Sequence, residues 1–141
     1  AKNKEAARIC GERWHEEACK KEYLAIALPE KVQMKLGETR VVDAPIGKDP
    51  DSEDPVRRAV NLEGQTAATR FEVLGVGKDG ALLLACTLEK SGRTHQIRVH
   101  AQHAGMPLLG DEMYGGSRVA SHFAAPSRVA LHAWRLRAPH P

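Results

Sequence analysis

The sequence predicts an α+β domain with few helices and a mainly antiparallel or mixed sheet. Most of the chain consists of short segments in which polar and apolar residues alternate, separated by turns that contain glycine or proline. Alternation with a period of two is typical of strands that bury one face. Only two isolated segments show helical spacing. An order rich in strands with two separate helices favours the α+β class, and 141 residues are enough for one domain spanning residues 1–141.

The first predicted helix covers residues 2 to about 20, where strong helix formers dominate. Ala6, Ile9 and Cys10 lie on one apolar arc of this helix. Arg8 and Glu12 lie on the opposite side with a spacing of four, which predicts a solvated face with an ion pair.

The second predicted helix lies in the segment of residues 91–111. Thr94 is the expected N-cap, Gly105 suits the left-handed position just after the last turn, and Pro107 prevents continuation. The helix should turn its apolar residues to a core, and those residues are Ile97, Ala101 and Ala104. A polar stripe about a quarter-turn away comprises His95, Arg98 and Gln102. Such a stripe is either a solvated face or a cationic, hydrogen-bonding surface suited to a carboxylate or a phosphate.

Apolar and alternating segments predict the strands, and proline or glycine turns bound them. The predicted strand segments are residues 23–28, 30–46, 66–74, 81–88 and 129–136. Lys78-Asp79-Gly80 predicts a hairpin connection between the third and fourth. Residues 49–55 form a polar loop with four acids, residues 108–116 form a glycine-rich loop, and residues 118–126 carry no clear pattern.

Charge and cysteine content decide little about function. A formal net charge of +3 suits a nucleic-acid partner but is ordinary for other proteins as well. The cysteines Cys10, Cys19 and Cys86 form no C-x-x-C pair, which indicates reduced intracellular thiols instead of disulfides or structural zinc. The sequence has no apolar run of about 18 residues, so no membrane partner is expected.

Residues 91–100, SGRTHQIRVH, are followed by GMPLLGDEMYG at 105–115. Together they resemble the signature of the RluA-type pseudouridine synthases. Further blocks match that family in the same order, and they are KEYLA at 21–25, VDAPIG at 42–47, GQTAAT at 64–69 and LHAW at 131–134. The resemblance implies the later portion of a pseudouridine synthase catalytic domain. The family's nucleophilic aspartate stands in an His-Arg-Leu-Asp segment, which does not occur in this sequence and is expected upstream of Ala1.

The resemblance implies a reaction, a partner and two catalytic residues. The reaction is isomerisation of uridine to pseudouridine in a structured ribosomal or transfer RNA, without cofactor or metal, by a monomeric intracellular protein. Its compartment is the cytoplasm, or an organelle if a targeting segment has been lost. Tyr23 corresponds to the tyrosine that packs on the uracil, and Arg98 to the arginine that holds the nucleophilic carboxylate. Leu131 corresponds to an aliphatic residue beside the base, with a plain core leucine as the alternative.

Arg93, His95 and Gln96, together with Lys90, either hydrogen-bond the RNA backbone or brace the turn at Gly92. The acidic loop 49–55 should repel phosphates and is therefore expected to lie away from the RNA face or to be mobile.

Without the upstream nucleophile, residues 1–141 are expected to be inactive. Asp43, Asp79 and Asp111 are candidate substitutes, but none has the family's sequence context. Arg98 is expected to lack a carboxylate partner and to attract an anion or water instead.

Two other functions stay open. One is a non-catalytic RNA-binding domain of the same fold. The other is a metal site built on His95, His100 and His103, which no neighbouring carboxylate or cysteine pair supports.

Overall fold

The computed structural model describes residues 3–13, 19–30, 32–90, 92–115 and 128–138. The helices in this part are α1 (Lys4–Arg13), α2 (Gln96–His103) and a 3-10 turn at Glu112–Tyr114. The strands are β1 (Lys20–Ala27), β2 (Thr39–Asp43), β3 (Ile46–Lys48), β4 (Arg58–Val60), β5 (Ala68–Val76), β6 (Leu82–Lys90) and β7 (Leu131–Arg137). Within these ranges, no helix is both long enough and apolar enough to span a bilayer.

Five strands form one antiparallel sheet in the order β2-β5-β6-β1-β7. β3 and β4 pair separately as a two-stranded antiparallel ribbon. The prediction of an α+β fold with a mainly antiparallel sheet is therefore confirmed.

The core lies between one face of the sheet and α2. On β1, Lys21, Ala25 and Ala27 are buried at alternate positions, as the pleat requires for one face. Ile97 and Ala101 of α2 pack into the same cluster. The larger side chains of this cluster are fully buried, and they are Phe71, Val73, Leu82, Leu84, Met106 and Leu108. α2 lies next to β4 and β5, and its first turn lines a cleft together with Tyr23 of β1.

The β5–β6 hairpin and the end of α2 lie where the sequence places them. Gly80 adopts a φ of +82° in the connection, which a residue with a side chain rarely accepts. Gly105 has a φ of +73° just after α2. There the amide of Met106 donates to the carbonyl of Ala101, and the amide of Gly105 donates to that of Gln102. These two bonds are those of the Schellman motif, so the predicted glycine stop is confirmed.

The predicted start of α2 is wrong by one residue. The N-cap is His95, in the left-handed conformation with a φ of 58°, and its side chain makes no capping hydrogen bond to the described helix. Thr94 is exposed, and its hydroxyl has no hydrogen-bond partner among the described residues. Contacts from Tyr114 and Gln96 define this turn.

Two other boundaries differ from the prediction. α1 begins at Lys4, residues 14–18 lie outside the described part, and Lys20 already belongs to β1. The predicted ion pair between Arg8 and Glu12 is present at 2.6 Å. The alternation of segment 30–46 predicts strand pairing, but its described residues before Thr39 form no strand.

Candidate functional site

A cleft of about 260 Å³ opens between β1, the start of β7 and the first turn of α2. Its lining contains Tyr23, Arg93, His95, Gln96, Arg98 and Leu131, which the sequence predicts as site residues, but not the predicted Lys90. Lys21, Leu88, Gly92 and Ile97 complete it. The cleft therefore combines an aromatic ring and aliphatic side chains with several basic groups.

Tyr23 and Leu131 reach the cleft from neighbouring strands. The β1–β7 pairing is irregular between Glu22 and Tyr23, because Glu22 pairs with Arg135 and Tyr23 with Ala133. This leaves Trp134 as an extra residue on β7, and a bulge of this kind re-aims nearby side chains. Both Tyr23 and Leu131 are half-buried and pack against the main core cluster. Leu131 is thus a partly buried core residue that also lines the cleft.

Arg98 already has a carboxylate partner in this chain. Its Nε and Nη2 donate to Asp111 Oδ2 and Oδ1 at 2.8 and 2.7 Å, in a bidentate pair. These hydrogen bonds raise the pKa of Arg98. Asp111 is 0% exposed and also accepts from the amide of Tyr114 as the cap of the 3-10 turn. The expectation of an unpaired Arg98 is therefore wrong, and burial makes Asp111 unsuited to act as a substitute nucleophile.

Tyr114 connects the arginines of the site with His95. The Arg98 and Arg57 guanidiniums lie over its ring, at 4.8 and 5.5 Å from the centroid. Its hydroxyl accepts from the backbone amide of Arg58 at 3.0 Å and lies 3.0 Å from His95 Nδ1. Burial is the main cause that raises the pKa of Tyr114. The phenol therefore stays protonated, and its hydroxyl links the backbone of Arg58 to the His95 ring.

These contacts favour one tautomer of His95. The Tyr114 hydroxyl accepts from Arg58 and can donate its own proton to His95 Nδ1, an arrangement that leaves the imidazole proton on Nε2. Burial and the charge of Arg98 lower the pKa of His95, which favours this neutral form. His95 thus offers an N–H donor instead of a second cation beside Arg98. Its left-handed backbone is a strained conformation of the kind that persists when neighbouring contacts hold it.

Replacing Tyr114 with phenylalanine is expected to lower the free energy of unfolding by about 1–2 kcal/mol. The Arg58 amide loses its acceptor and His95 Nδ1 loses its donor. Nitrogen-15 chemical shifts of His95 should change from a pure Nε2–H tautomer to a mixture.

Tyr23→Phe is the matched control, because the Tyr23 hydroxyl has no partner within the described ranges. Equal losses of stability in the two variants, or an unchanged His95 tautomer, would contradict this assignment.

Gln96 holds the turn that shapes the cleft. Its Oε1 accepts from the amide of Arg93 at 2.9 Å, and its Nε2 donates toward the carbonyls of Ala68 and Lys90. The residue is 3% exposed. Of the two alternatives for Gln96, the contacts are those of a brace for the Gly92 turn.

His100 closes a hydrogen-bond chain beneath the cleft. Thr69 Oγ1 lies 3.2 Å from Gln96 Nε2, whose two protons are shared among three acceptors. The same hydroxyl lies 2.8 Å from His100 Nδ1, and His100 Nε2 lies 2.9 Å from the carbonyl of Ala44. Burial is the main cause that lowers the pKa of His100. Both ring nitrogens therefore have protein partners, and His100 is not positioned as a metal ligand. The described residues also contain no group of three or more potential metal ligands.

The acidic loop lies beside the cleft and not away from it. Asp49 pairs with Arg57 at 2.7 Å, and Arg58 Nη1 donates to the carbonyl of Pro55. Asp54 is close enough to His95 to act on its pKa, in the direction opposite to burial. Pairing with Arg57 reduces the repulsion that the loop would exert on a phosphate.

Sequence reasoning missed the roles of several residues near the cleft. Asp111 and Tyr114 belong to the GDEMYG segment that was used for the family resemblance, so their proximity to Arg98 could have been suspected there. Lys21, which is 8% exposed, lies next to Gly92 in the cleft wall. It is the first residue of the KEYLA segment at 21–25, which was used for the family resemblance but from which only Tyr23 was selected. No local pattern indicates that His100 is buried under this site.

The comparisons with known proteins agree with one another. A family model described as RNA pseudouridylate synthase matches residues 1–103. Along its whole length the chain is 38% identical to the uncharacterized RNA pseudouridine synthase YhcT of Bacillus subtilis (strain 168), of which it covers 43%. It is 40% identical, again along its whole length, to ribosomal large subunit pseudouridine synthase D of Nitrosomonas europaea, of which it covers 40%.

Among solved structures, the chain superposes on human RNA pseudouridylate synthase domain containing 1 with a TM-score of 0.79. The identity is 28%, and the match covers 99% of this chain and 57% of that one. The fold is thus that of a pseudouridylate synthase domain. The chain belongs to the RNA pseudouridine synthase family, and its resemblance to the RluA-type members is confirmed. It spans about two fifths of the length of these curated relatives.

Proposed function

We propose that the protein to which this chain belongs isomerises specific uridines of a structured ribosomal or transfer RNA to pseudouridine. The observation that carries the proposal is the joint presence of Tyr23, Arg98 and Leu131 in one cleft. The names of the relatives support the reaction, and ribosomal large subunit pseudouridine synthase D supports ribosomal RNA as one substrate class. The protein acts as a monomer inside the cell, where its RNA is found.

In this proposal the target base is extruded from its stack and enters the cleft. The Tyr23 ring packs against one face of the uracil and Leu131 lies beside its edge. The Tyr23 hydroxyl has no partner in the described part of the chain. Once its own proton has passed to solvent or to another base, the phenolate oxygen can take the proton that leaves C5 at the end of the rearrangement.

Arg98 acts as a bridge between two carboxylates. A guanidinium has five N–H donors, and Asp111 uses one on Nε and one on Nη2. The edge formed by Nη1 and the second Nη2 proton remains for the nucleophilic aspartate from the upstream segment. Asp111 fixes the plane of the guanidinium, so the second carboxylate meets a preorganised partner. The aspartate would attack C1′ of the ribose and form an ester as the bond between C1′ and uracil N1 breaks. After the uracil turns, its C5 would attack C1′, which forms the carbon–carbon bond and frees the carboxylate.

Arg93 and His95 bind the RNA around the extruded nucleotide. Within the described part of the chain, the Arg93 guanidinium makes one weak contact, with the carbonyl of Thr66 at 3.4 Å, and therefore keeps donors for a phosphate. The neutral His95 supplies Nε2–H as a donor. Gln96 acts indirectly, because its amide is occupied in bracing the turn.

The direct test compares the 141-residue chain with a version extended upstream through the His-Arg-Leu-Asp segment. Both are incubated with transcribed RNA that carries tritium at uridine C5, and RNA binding is measured in parallel. The extended protein is expected to release tritium and the chain alone to release none, since loss of a nucleophile removes most of the rate. Equal release would show that the nucleophile lies within residues 1–141. Binding without release by either protein would favour the non-catalytic RNA-binding alternative.

A further inference from the structure

A second cavity of about 420 Å³ adjoins the cleft and shares Gly92 and Arg93 with its wall. The β3–β4 ribbon and the turn at residues 61–65 form the opposite side. Its lining is polar and consists of Ile46, Gly47, Lys48, Arg58, Glu63, Gly64, Gln65, Gly92, Arg93 and Thr94. A chain molecule held in the cleft would therefore continue into this cavity across the Gly92–Arg93 turn.

The side chains of the second cavity carry unused hydrogen-bond donors. Lys48 is exposed, and neither its ammonium nor the Thr94 hydroxyl has a partner in the ranges that the structure describes. Arg58 is held in place through Nη1, which donates to the carbonyls of Pro55 and Arg57 at 2.8 and 3.0 Å. Its Nε and Nη2 make no bond to any described residue.

Charge in the second cavity favours an anion. Lys48, Arg58 and Arg93 face a single acid, Glu63, which is exposed at the rim. No residue of the lining, all of which is described, is aromatic, so the cavity offers no platform for stacking a base. The donors are of the kind that bind phosphate oxygens without reading sequence.

The floor of the second cavity is rigid. Ile46 and Gln65 exchange two backbone hydrogen bonds, each of 2.9 Å. Gly64 lies so close to β3 that a Cβ would stand 2.4 Å from the carbonyl carbon of Ile46. The donors are thus presented on a preformed surface that needs little ordering on binding.

We propose that the second cavity binds the backbone phosphate of the RNA nucleotide next to the one held in the cleft, through Lys48, Arg58 and Thr94. This inference rests on the proposed function, because it takes RNA as the occupant of the cleft. It adds the β3–β4 ribbon as a second wall for the strand. The contact holds the strand on one side of the extruded nucleotide and is independent of the identity of the neighbouring base.

The test measures binding of the 141-residue chain to fluorescent single-stranded RNAs that contain one uridine and differ in its neighbours. The Lys48→Gln variant and the double variant Lys48→Gln/Arg58→Gln are compared with Lys78→Gln, which removes an exposed lysine in the β5–β6 connection. Circular dichroism and urea unfolding verify that each variant is folded. Each lost phosphate contact is expected to reduce the slope of log K against log salt by about 0.7, and affinity several-fold, for every RNA sequence. Lys78→Gln is expected to change neither.

Equal salt slopes for Lys48→Gln and Lys78→Gln, while Tyr23→Ala weakens RNA binding, would overturn the phosphate assignment of the second cavity and leave the proposed function standing. Failure of both the unaltered chain and the version extended upstream to bind any RNA would overturn both. A parallel series uses a poly-glutamate peptide of equal charge. Weaker binding of that peptide by Lys48→Gln, with RNA binding unchanged, would identify an acidic protein segment as the occupant and refute the phosphate assignment.

Discussion

Replacing Asp111 with asparagine is expected to lower the free energy of unfolding by about 3–5 kcal/mol, the usual cost of removing one partner of a buried ion pair. Asp111 is fully buried and Arg98 is largely buried, so water cannot replace the lost charge. Asparagine also presents an amide that repels one of the two Arg98 donors. Urea unfolding at neutral pH measures the loss.

Two comparisons separate this effect from the loss of one hydrogen bond. Asp43→Asn is the matched control, because Asp43 pairs with Lys90 on the surface with both side chains more than half exposed. It is expected to cost less than about 1 kcal/mol. The double variant Asp111→Asn/Arg98→Met, in which no charge is left unpaired, is expected to be more stable than Asp111→Asn alone. If Asp111→Asn and Asp43→Asn cost the same, the Arg98–Asp111 pair is not the structural centre of the site.

Replacing His100 with alanine is expected to lower the free energy of unfolding by about 2–4 kcal/mol. His100 is 0% exposed, and its removal takes away the hydrogen-bond partner of the Ala44 carbonyl and one of the two partners of the Thr69 hydroxyl, which keeps its contact with Gln96. It also leaves a cavity between α2 and β5. His103→Ala, which truncates an exposed histidine on the same helix, is the matched control and is expected to stay within about 0.5 kcal/mol of the unaltered protein.

His100 should also make stability depend on pH. Burial lowers the pKa of His100 from its ordinary value of 6.5 in the folded protein. Below pH 6.5 the unfolded chain therefore binds a proton that the folded chain does not, and stability falls as pH decreases toward the lowered pKa. His95 acts in the same direction and remains in the variant. His100→Ala should retain only part of the slope, and an unchanged slope between pH 7 and 5 would contradict the neutral assignment.

The sequence predicted those elements whose signals are local. The β5–β6 hairpin followed from alternating residues around Lys78-Asp79-Gly80, and the end of α2 followed from Gly105. Both depend on the conformational preferences of a few neighbouring residues. The segment 30–46 was predicted less well, because weak alternation does not tell a pairing strand from an extended connection.

The start of α2 shows where local signals fail. A threonine before a helix is a good N-cap by preference, yet Thr94 does not cap α2. The Tyr114 hydroxyl holds the His95 ring and the Gln96 side chain binds the amide of Arg93. These contacts draw the turn into a conformation that puts His95 at the N-cap with a positive φ.

The candidate site likewise contains residues that the sequence identifies and contacts that only the tertiary structure shows. By motif resemblance, the sequence by itself selected Tyr23, Arg98 and Leu131, and the fold class followed from strand periodicity and turn chemistry. The tertiary structure alone decided that Arg98 is paired with Asp111, that Gln96 and His100 are buried in one hydrogen-bond chain, and that Lys48 and Arg58 stand beside the cleft. The physical reason is that burial and ion pairing depend on which distant residues the sheet brings together. A polar side chain on a helix has the same local preference whether its partner is water or a carboxylate thirteen residues away.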